Sequence, residues 1–125
     1  MRLLLDSHIL FWWATARLER LPPVICEAIG TAEDIFVSVA TAWELEIKRN
    51  AGRFDPGLFD WAALPSHGMT ILAIELEDAF AAARLPLVHR DPFDRMIVAQ
   101  TMRRGLTLVT ADATLSGYGV ATLRA

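Results

Sequence analysis

Short apolar runs alternate with helix-forming stretches from one end of this chain to the other. Arg2-Leu-Leu-Leu5 reads as a short buried strand, broken by Asp6-Ser7, and the apolar stretch that follows, with Trp12 and Trp13, reads as helical. Pro22-Pro23 opens a second helix that runs to about Gly30. Ile35 to Val39 is a β-branched strand, and Thr41 to Asn50 has helical composition, ending near Gly52. Pro56 to Leu64 is expected to form a short helix closed by Pro65. Met69 to Ile74 is the next strand, followed by an alanine-rich helix from Glu75 to Arg84. Pro92 to Arg104 is a helix stopped by Gly105, and Leu106 to Val109 and Val120 to Leu123 are the last strands. Strands separated by helices pair through crossovers, which makes the pairs parallel and buries both sheet faces. The expected fold is therefore α/β, a three-layer α/β/α arrangement around a central, mostly parallel sheet.

At 125 residues the chain fits one domain, residues 1–125, with no repeat, low-complexity tract or linker. A single cysteine, Cys26, excludes an internal disulfide framework and a cysteine-rich zinc site. That suits a cytoplasmic protein. Hydrophobic residues make up 54% of the chain and the mean hydropathy is +0.33, yet no apolar run reaches the roughly 18–20 residues of a membrane span. No basic leader with a small-residue cleavage site is evident. The surplus apolarity is read as a surface for a partner or a second copy. The net charge of −3 argues against a generic nucleic-acid binder, unless acids are gathered in one metal site. Lys48 is the only lysine; arginine supplies the remaining basic charge.

In open α/β sheets function gathers beyond the carboxyl ends of the strands. Asp6 follows the first strand directly, Glu44 lies one turn into the helix after the second, Asp91 and Asp94 flank the start of the Pro92 helix, and Asp112 follows the fourth strand, two residues after Thr110. Each has a local explanation. Asp6 suits an N-cap, Thr41-x-x-Glu44 a capping box, and Asp112 a turn. Asp91 before Pro92 suits an N-cap, and Asp94 favours the helix dipole. Together these explanations weaken, because carboxylates converging on one rim repel one another until a divalent cation neutralises them. Mg²⁺ and Mn²⁺ prefer oxygen ligands of this kind. His8, His67 and His89 share no helical spacing and are weak metal candidates; His89 is read as a loop residue or one standing behind the ligands.

These residues carry a specific resemblance. Asp6 after a starting strand, Glu44 in Thr-Ala-Trp-Glu, His89-Arg-Asp-Pro-Phe-Asp-Arg-Met-Ile-Val-Ala-Gln100 and Leu108-Val-Thr-Ala-Asp112, in this order, resemble the PIN domain over nearly the whole chain. The Asp-Pro-Phe-Asp-Arg block resembles the VapC branch, the toxins of type II toxin–antitoxin pairs. The resemblance implies that Asp6, Glu44, Asp94 and Asp112 are the acidic quartet, that Asp91 is an extra acid of the branch, and that Thr110 is a hydroxyl near the metal. Ser7 stands where threonine is common. It further implies a Mg²⁺- or Mn²⁺-dependent endoribonuclease with Asp6 and Asp94 as primary metal ligands, leaving a 5′-phosphate and a 3′-hydroxyl. The implied partners are an RNA substrate, a VapB-like antitoxin and a second copy of the chain, with no membrane.

Substrate contacts are less local. Lys48, Arg49 and Arg53 follow Glu44, and Arg84, Arg90 and Arg95 flank the Asp91 block; either group suits backbone phosphates, while Lys48 equally suits an i,i+4 pair with Glu44. Trp12, Trp13, Trp43 and Trp61 are read as core or partner packing ahead of base stacking. With adjacent helical positions about 100° apart, Trp12 and Trp13 do not both fit one core face. A phosphoacceptor receiver would need a late lysine, and Asp55 lies in a Phe-Asp-Pro-Gly turn. A haloacid-dehalogenase-type phosphatase would need Asp-x-Asp where this chain has Asp6-Ser-His8. A DNA-directed PIN nuclease and a catalytically inactive PIN binding module stay open.

Overall fold

The computed structural model describes residues 1–53 and 60–125. Five strands, β1 (Arg2–Leu5), β2 (Asp34–Ser38), β3 (Met69–Leu72), β4 (Thr107–Thr110) and β5 (Thr122–Arg124), form one sheet in the order β3-β2-β1-β4-β5. Every described pair is parallel, so the sheet is wholly parallel. The helices are α1 (Ser7–Ala14), α2 (Pro23–Thr31), α3 (Val39–Asn50), α4 (Leu76–Arg84) and α5 (Pro92–Arg104).

The period-2 alternation of β1 assigns its leucines to two layers. Leu3 and Leu5 pack with Ile9, Leu10, Ile25, Val37 and Leu45 on one face. Leu4 packs with Ile97, Val98, Leu108 and Leu115 on the other. All of these are buried, which makes a three-layer α/β/α fold with two apolar cores. The order of strands reverses direction at β1, between β2 and β4. That is the switch point where crossovers diverge and leave a crevice. Leu5 pairs with both Val37 and Val109, so Asp6, Ser38 and Thr110, the next residues along, stand side by side on the carboxyl rim.

Several boundaries differ from expectation for local reasons. Helix α3 begins at Val39, not Thr41, because the Ser38 side chain accepts the backbone N–H of Ala40 and caps it. Thr41 is therefore buried inside the helix, and the Thr41–Glu44 capping box does not form. Such a box does form at α4, between Glu75 and Asp78. The fourth strand lies one residue later than expected, which brings Thr110 into the sheet. Residues 54–59 lie outside the description, and with them the Asp55 turn and the start of the helix expected from Pro56. The described remainder is a 3-10 helix, Trp61–His67, that contains Pro65 and is closed by Gly68 at a φ of 77°. Among the described residues no helix is long and apolar enough to cross a membrane.

Trp12 and Trp13 are both half-buried against the first core. The geometry of successive helical positions is met by turning them to different neighbours: Arg20 stacks 5.9 Å from the Trp12 ring, and Trp13 meets His67 edge-on at 5.1 Å. Trp61 joins the same core and donates its Nε1–H to Glu46 at 3.1 Å. Trp43 is the exposed member, 63% accessible, with its ring edge-on to Phe93 at 5.0 Å.

Candidate active site

Asp6 leaves the end of β1 and is buried. One carboxylate oxygen accepts the backbone N–H of Ile9 at 2.9 Å, capping α1. The other accepts the Thr110 hydroxyl and the Ala111 amide, the latter at 3.3 Å. The N-cap reading of Asp6 thus holds alongside a position on the rim. Burial pushes its carboxyl above the usual carboxylate range, partly offset by these hydrogen bonds. The Thr110 hydroxyl also accepts the backbone N–H of Asp112 at 3.0 Å, so one side chain ties the first strand to the turn that carries Asp112.

Asp91 and Asp94 share the first turn of α5 with different duties. Oδ1 of Asp91 accepts the N–H of Phe93 at 2.8 Å and of Asp94 at 3.1 Å, which makes Asp91 the helix cap. Asp94, in that first turn, is held inside the cluster. Burial, then the charges of Asp91 and Glu44, and more weakly that of Asp6, push its carboxyl up to about 7 against the pull of His89. The charges of Glu44 on α3 and of Asp6, just beyond β1, thus both act on Asp94.

Asp112 caps the short 3-10 helix Ala113–Tyr118 through Oδ1, which accepts the N–H and the hydroxyl of Thr114 at 2.9 and 2.7 Å. Its Oδ2 lies 3.0 Å from Nε2 of His89. Burial works to raise its carboxyl, but the Thr114 and His89 bonds outweigh it and hold the group below its ordinary value. His89, set aside at the sequence level, also lies 3.4 Å from Asp94. Donor atoms of His89, Asp94 and Asp112 fall within 4.8 Å of one another. A clue was present in its position two residues before the helix cap Asp91, which keeps it at the same rim.

The donor set fits a hard divalent cation: several carboxylates lie together, and burial with its neighbours' charge raises the carboxyl of one of them, Asp94. Asp6, Glu44 and Asp94, from three separate segments of the chain, are the candidate oxygen ligands. Ser7 is buried at the start of α1 and lines a cavity of about 200 Å³ with His8, Phe11, Trp12, Leu45, Lys48 and Arg53.

The basic residues divide. Lys48 faces that cavity, and among the described residues no Glu44–Lys48 ion pair forms. Arg49 pairs with Glu46 at 3.0 Å. Arg95, expected to contact a phosphate, has its guanidinium engaged within the chain. Its guanidinium donates to the carbonyls of Ala82, Leu85, Pro86 and His89 at 2.8–3.2 Å. Ala82 lies in the last turn of α4 and the other three acceptors on the connection between α4 and α5, so Arg95 fastens the segment that carries His89 to the end of α4.

A family model described as the PIN domain matches residues 3–120. Ribonuclease VapC22 of Mycobacterium tuberculosis is 30% identical over 118 residues, covering 92% of this chain and 90% of that protein. Among solved structures, VapBC2 from Rickettsia felis, bound to a DNA fragment from its promoter, is similar with a TM-score of 0.77 at 12% identity, covering 99% of this chain and 98% of that one. DNA-bound VapBC from Salmonella typhimurium is similar with a TM-score of 0.70 at 16% identity, with the same coverage of 99% and 98%. The carboxylate rim, the reversal of strand order at β1 and these similarities agree, and the chain belongs to the PIN-domain family, in its VapC branch.

Proposed function

We propose that this chain, acting as one domain over residues 1–125, is a Mg²⁺- or Mn²⁺-dependent endoribonuclease and the toxin of a type II toxin–antitoxin pair. The observation that supports the reading is that donor atoms of Asp94 and Asp112 lie within 4.8 Å of one another beside His89, with the charges of Glu44 and Asp6 also acting on Asp94. The relative named as a ribonuclease supports RNA as the substrate.

Asp6 and Asp94 are the primary ligands in this reading, with Glu44 and Asp112 completing the site directly or through water. A bound divalent ion supplies a water of lowered pKa and positive charge beside the scissile phosphate. The chain's own contribution is preorganisation. Thr110 and the amides of Ile9 and Ala111 fix both oxygens of Asp6. Asp91 fixes the first turn from which Asp94 projects. Lys48 and Arg53 line the Ser7 cavity and are the proposed contacts to a backbone phosphate. The products expected of this reading are a 5′-phosphate and a 3′-hydroxyl.

The antitoxin is proposed to be VapB-like, with an apolar helix packing near Trp12 or Trp13 and a basic side chain entering the acid rim in place of the cation. The proposed homodimer uses exposed apolar residues: Leu76 and Phe80, one turn apart on α4, with Leu87 and with Met102 of α5. Both fit a cytoplasmic toxin. Cleavage of RNA by the purified chain with Mn²⁺, with Asp6→Asn as the control, tests the activity. Cleavage of DNA but not RNA would favour the DNA-directed alternative, and no cleavage of either by wild type would favour the inactive binding module. Coexpression with the adjacent upstream reading frame tests the pair; a product that neither binds nor relieves growth arrest would overturn the toxin assignment alone.

A further inference from the structure

His89 and the two acids beside it resemble a three-ligand metal site, but the hydrogen bonds around the imidazole argue otherwise. Nδ1 of His89 lies 3.1 Å from the backbone nitrogen of Asp91 and accepts its N–H. An amide nitrogen can only donate, so Nδ1 must offer a lone pair, and the proton of the neutral ring sits on Nε2. Nε2 then donates. Its acceptor at 3.0 Å is Oδ2 of Asp112, with Oδ2 of Asp94 at 3.4 Å behind it. A nitrogen that carries a proton has no lone pair for a cation.

The ring has little freedom to exchange these roles. The backbone N–H of His89 donates to the Tyr118 hydroxyl at 2.8 Å, and that hydroxyl lies 3.2 Å from the His89 carbonyl. The same carbonyl accepts from Arg95 at 3.2 Å. The residue is thus clamped on both sides of its backbone, while the Asp91 amide, itself fixed by the start of α5, selects the tautomer. Asp112 is equally constrained. Oδ1 is occupied by the amide and hydroxyl of Thr114, which leaves Oδ2 as the oxygen turned to the rim, and that oxygen takes the proton of His89.

We propose that His89 is a positioning residue rather than a metal ligand: its Nε2–H, selected by the backbone amide of Asp91, aims Oδ2 of Asp112 at the rim beside Asp94. The proposal rests on the metal-dependent reading above, and assigns the ion an all-oxygen coordination. Tyr118 and Arg95 act through it, since both hold the His89 backbone. An all-oxygen set accepts Mg²⁺ and Mn²⁺ alike, whereas an imidazole ligand would shift preference toward Mn²⁺ and later transition metals.

Two measurements on the full chain test this. Long-range ¹H–¹⁵N spectra report the tautomer of His89 without metal and with saturating Mg²⁺; the Nε2–H pattern is expected in both. Calorimetric titration with Mg²⁺ and with Mn²⁺ then compares wild type with His89→Gln and His89→Asn. Glutamine extends an N–H donor to about the place of Nε2, while asparagine reaches only the place of Nδ1. His89→Asn is expected to weaken both ions together by about tenfold or more, and His89→Gln to restore most of that loss. A Nδ1–H pattern on adding metal, or loss of a Mn²⁺-over-Mg²⁺ preference in the variants, would show the imidazole to be a ligand and overturn the proposal. Unchanged affinity in a folded His89→Asn would overturn it too. Failure of the metal reading looks different: wild type then binds neither ion, and the tautomer in the metal-free protein alone decides whether Asp91 selects the donor form.

Discussion

Asp91 accepts the backbone N–H of Asp94 at 3.1 Å, so one acid of the Asp-Pro-Phe-Asp block holds the turn on which the other stands. The two are expected to respond differently to the same substitution. Asparagine still caps a helix, so Asp91→Asn keeps the bonds to Phe93 and Asp94 and loses only charge. Asp94→Asn removes a proposed ligand and is expected to lower RNA cleavage by about tenfold or more, with the smaller loss at Asp91. Steady-state cleavage rates of the two variants, with circular dichroism to confirm the fold, check the order. Equal losses would mean that Asp91 is itself a ligand.

The raised carboxyl of Asp94 sets a pH dependence in the metal-free protein. Its ordinary value is 3.8 and its folded value about 7. Between these the folded state keeps the proton and the unfolded chain has released it. More protons are then bound in the native state, so stability falls as pH rises, by at most about 1.4 kcal/mol per pH unit for one group. Below the window there is no cost, and above about pH 7 the cost is complete. Asp6 is also raised and adds in the same direction. Asp112 is lowered, so its stabilisation is present above its ordinary value of 3.8 and is lost only in more acid solution. Thermal melts of metal-free wild type and Asp94→Asn from about pH 4 to 8 should diverge, the variant declining less. Parallel curves would count against the cluster.

Divalent metal should reverse the same penalty. Mg²⁺ or Mn²⁺ binding to the native state alone raises the melting temperature, by an amount that grows with the ratio of free ion to Kd. Because Asp94 must lose its proton to ligate, the rise is expected to be larger at pH 8 than at pH 6. A scan at fixed ion concentration across pH measures this, and a rise that is equal at both pH values would remove Asp94 from the ligand set.

Arg95 predicts a stability defect rather than a simple loss of substrate affinity. Replacement by lysine keeps the charge but not the fork that reaches Ala82, Leu85, Pro86 and His89. Arg95→Lys is expected to cost about 1–2 kcal/mol, because part-buried carbonyls lose charged donors. Urea unfolding gives the loss; a variant as stable as wild type with weakened RNA binding would restore the phosphate-contact reading.

Asp78 supplies a control far from the rim. It is fully buried on α4 and accepts from Arg103 and from Arg104, the latter at 2.8 and 2.9 Å, at the carboxyl end of α5. Burial opposes its ionisation, but the Arg104 and Arg103 bonds and the Glu75 amide hold the carboxyl well below the usual range. Ten residues of helix, about 15 Å, separate Arg104 from Asp94. Asp78→Ala is expected to cost about 3 kcal/mol while leaving calorimetric Mg²⁺ affinity unchanged. A loss of affinity would show that the two ends of α5 are coupled.

The alternation of strands and helices determined the parallel three-layer fold, because hydrophobic period and helix stops act over a few residues. The acids, too, were identifiable by their positions after strands and at helix starts, and Asp91 as a cap follows from Pro92 alone. What the sequence did not decide was which local role excludes which distant one. Asp6 caps α1 and also takes the Thr110 hydroxyl from 104 residues away, since the β1–β4 register sets their ends together. Arg95 has the look of a phosphate contact until the end of α4 and the α4–α5 connection fold their carbonyls around the guanidinium. His89 has no helical partner in sequence, and only the approach of Asp112, 23 residues on, turns it toward the acids. Local chemistry is set by neighbours along the chain, whereas hydrogen bonds between distant segments depend on strand register and helix packing, which only the tertiary structure fixes.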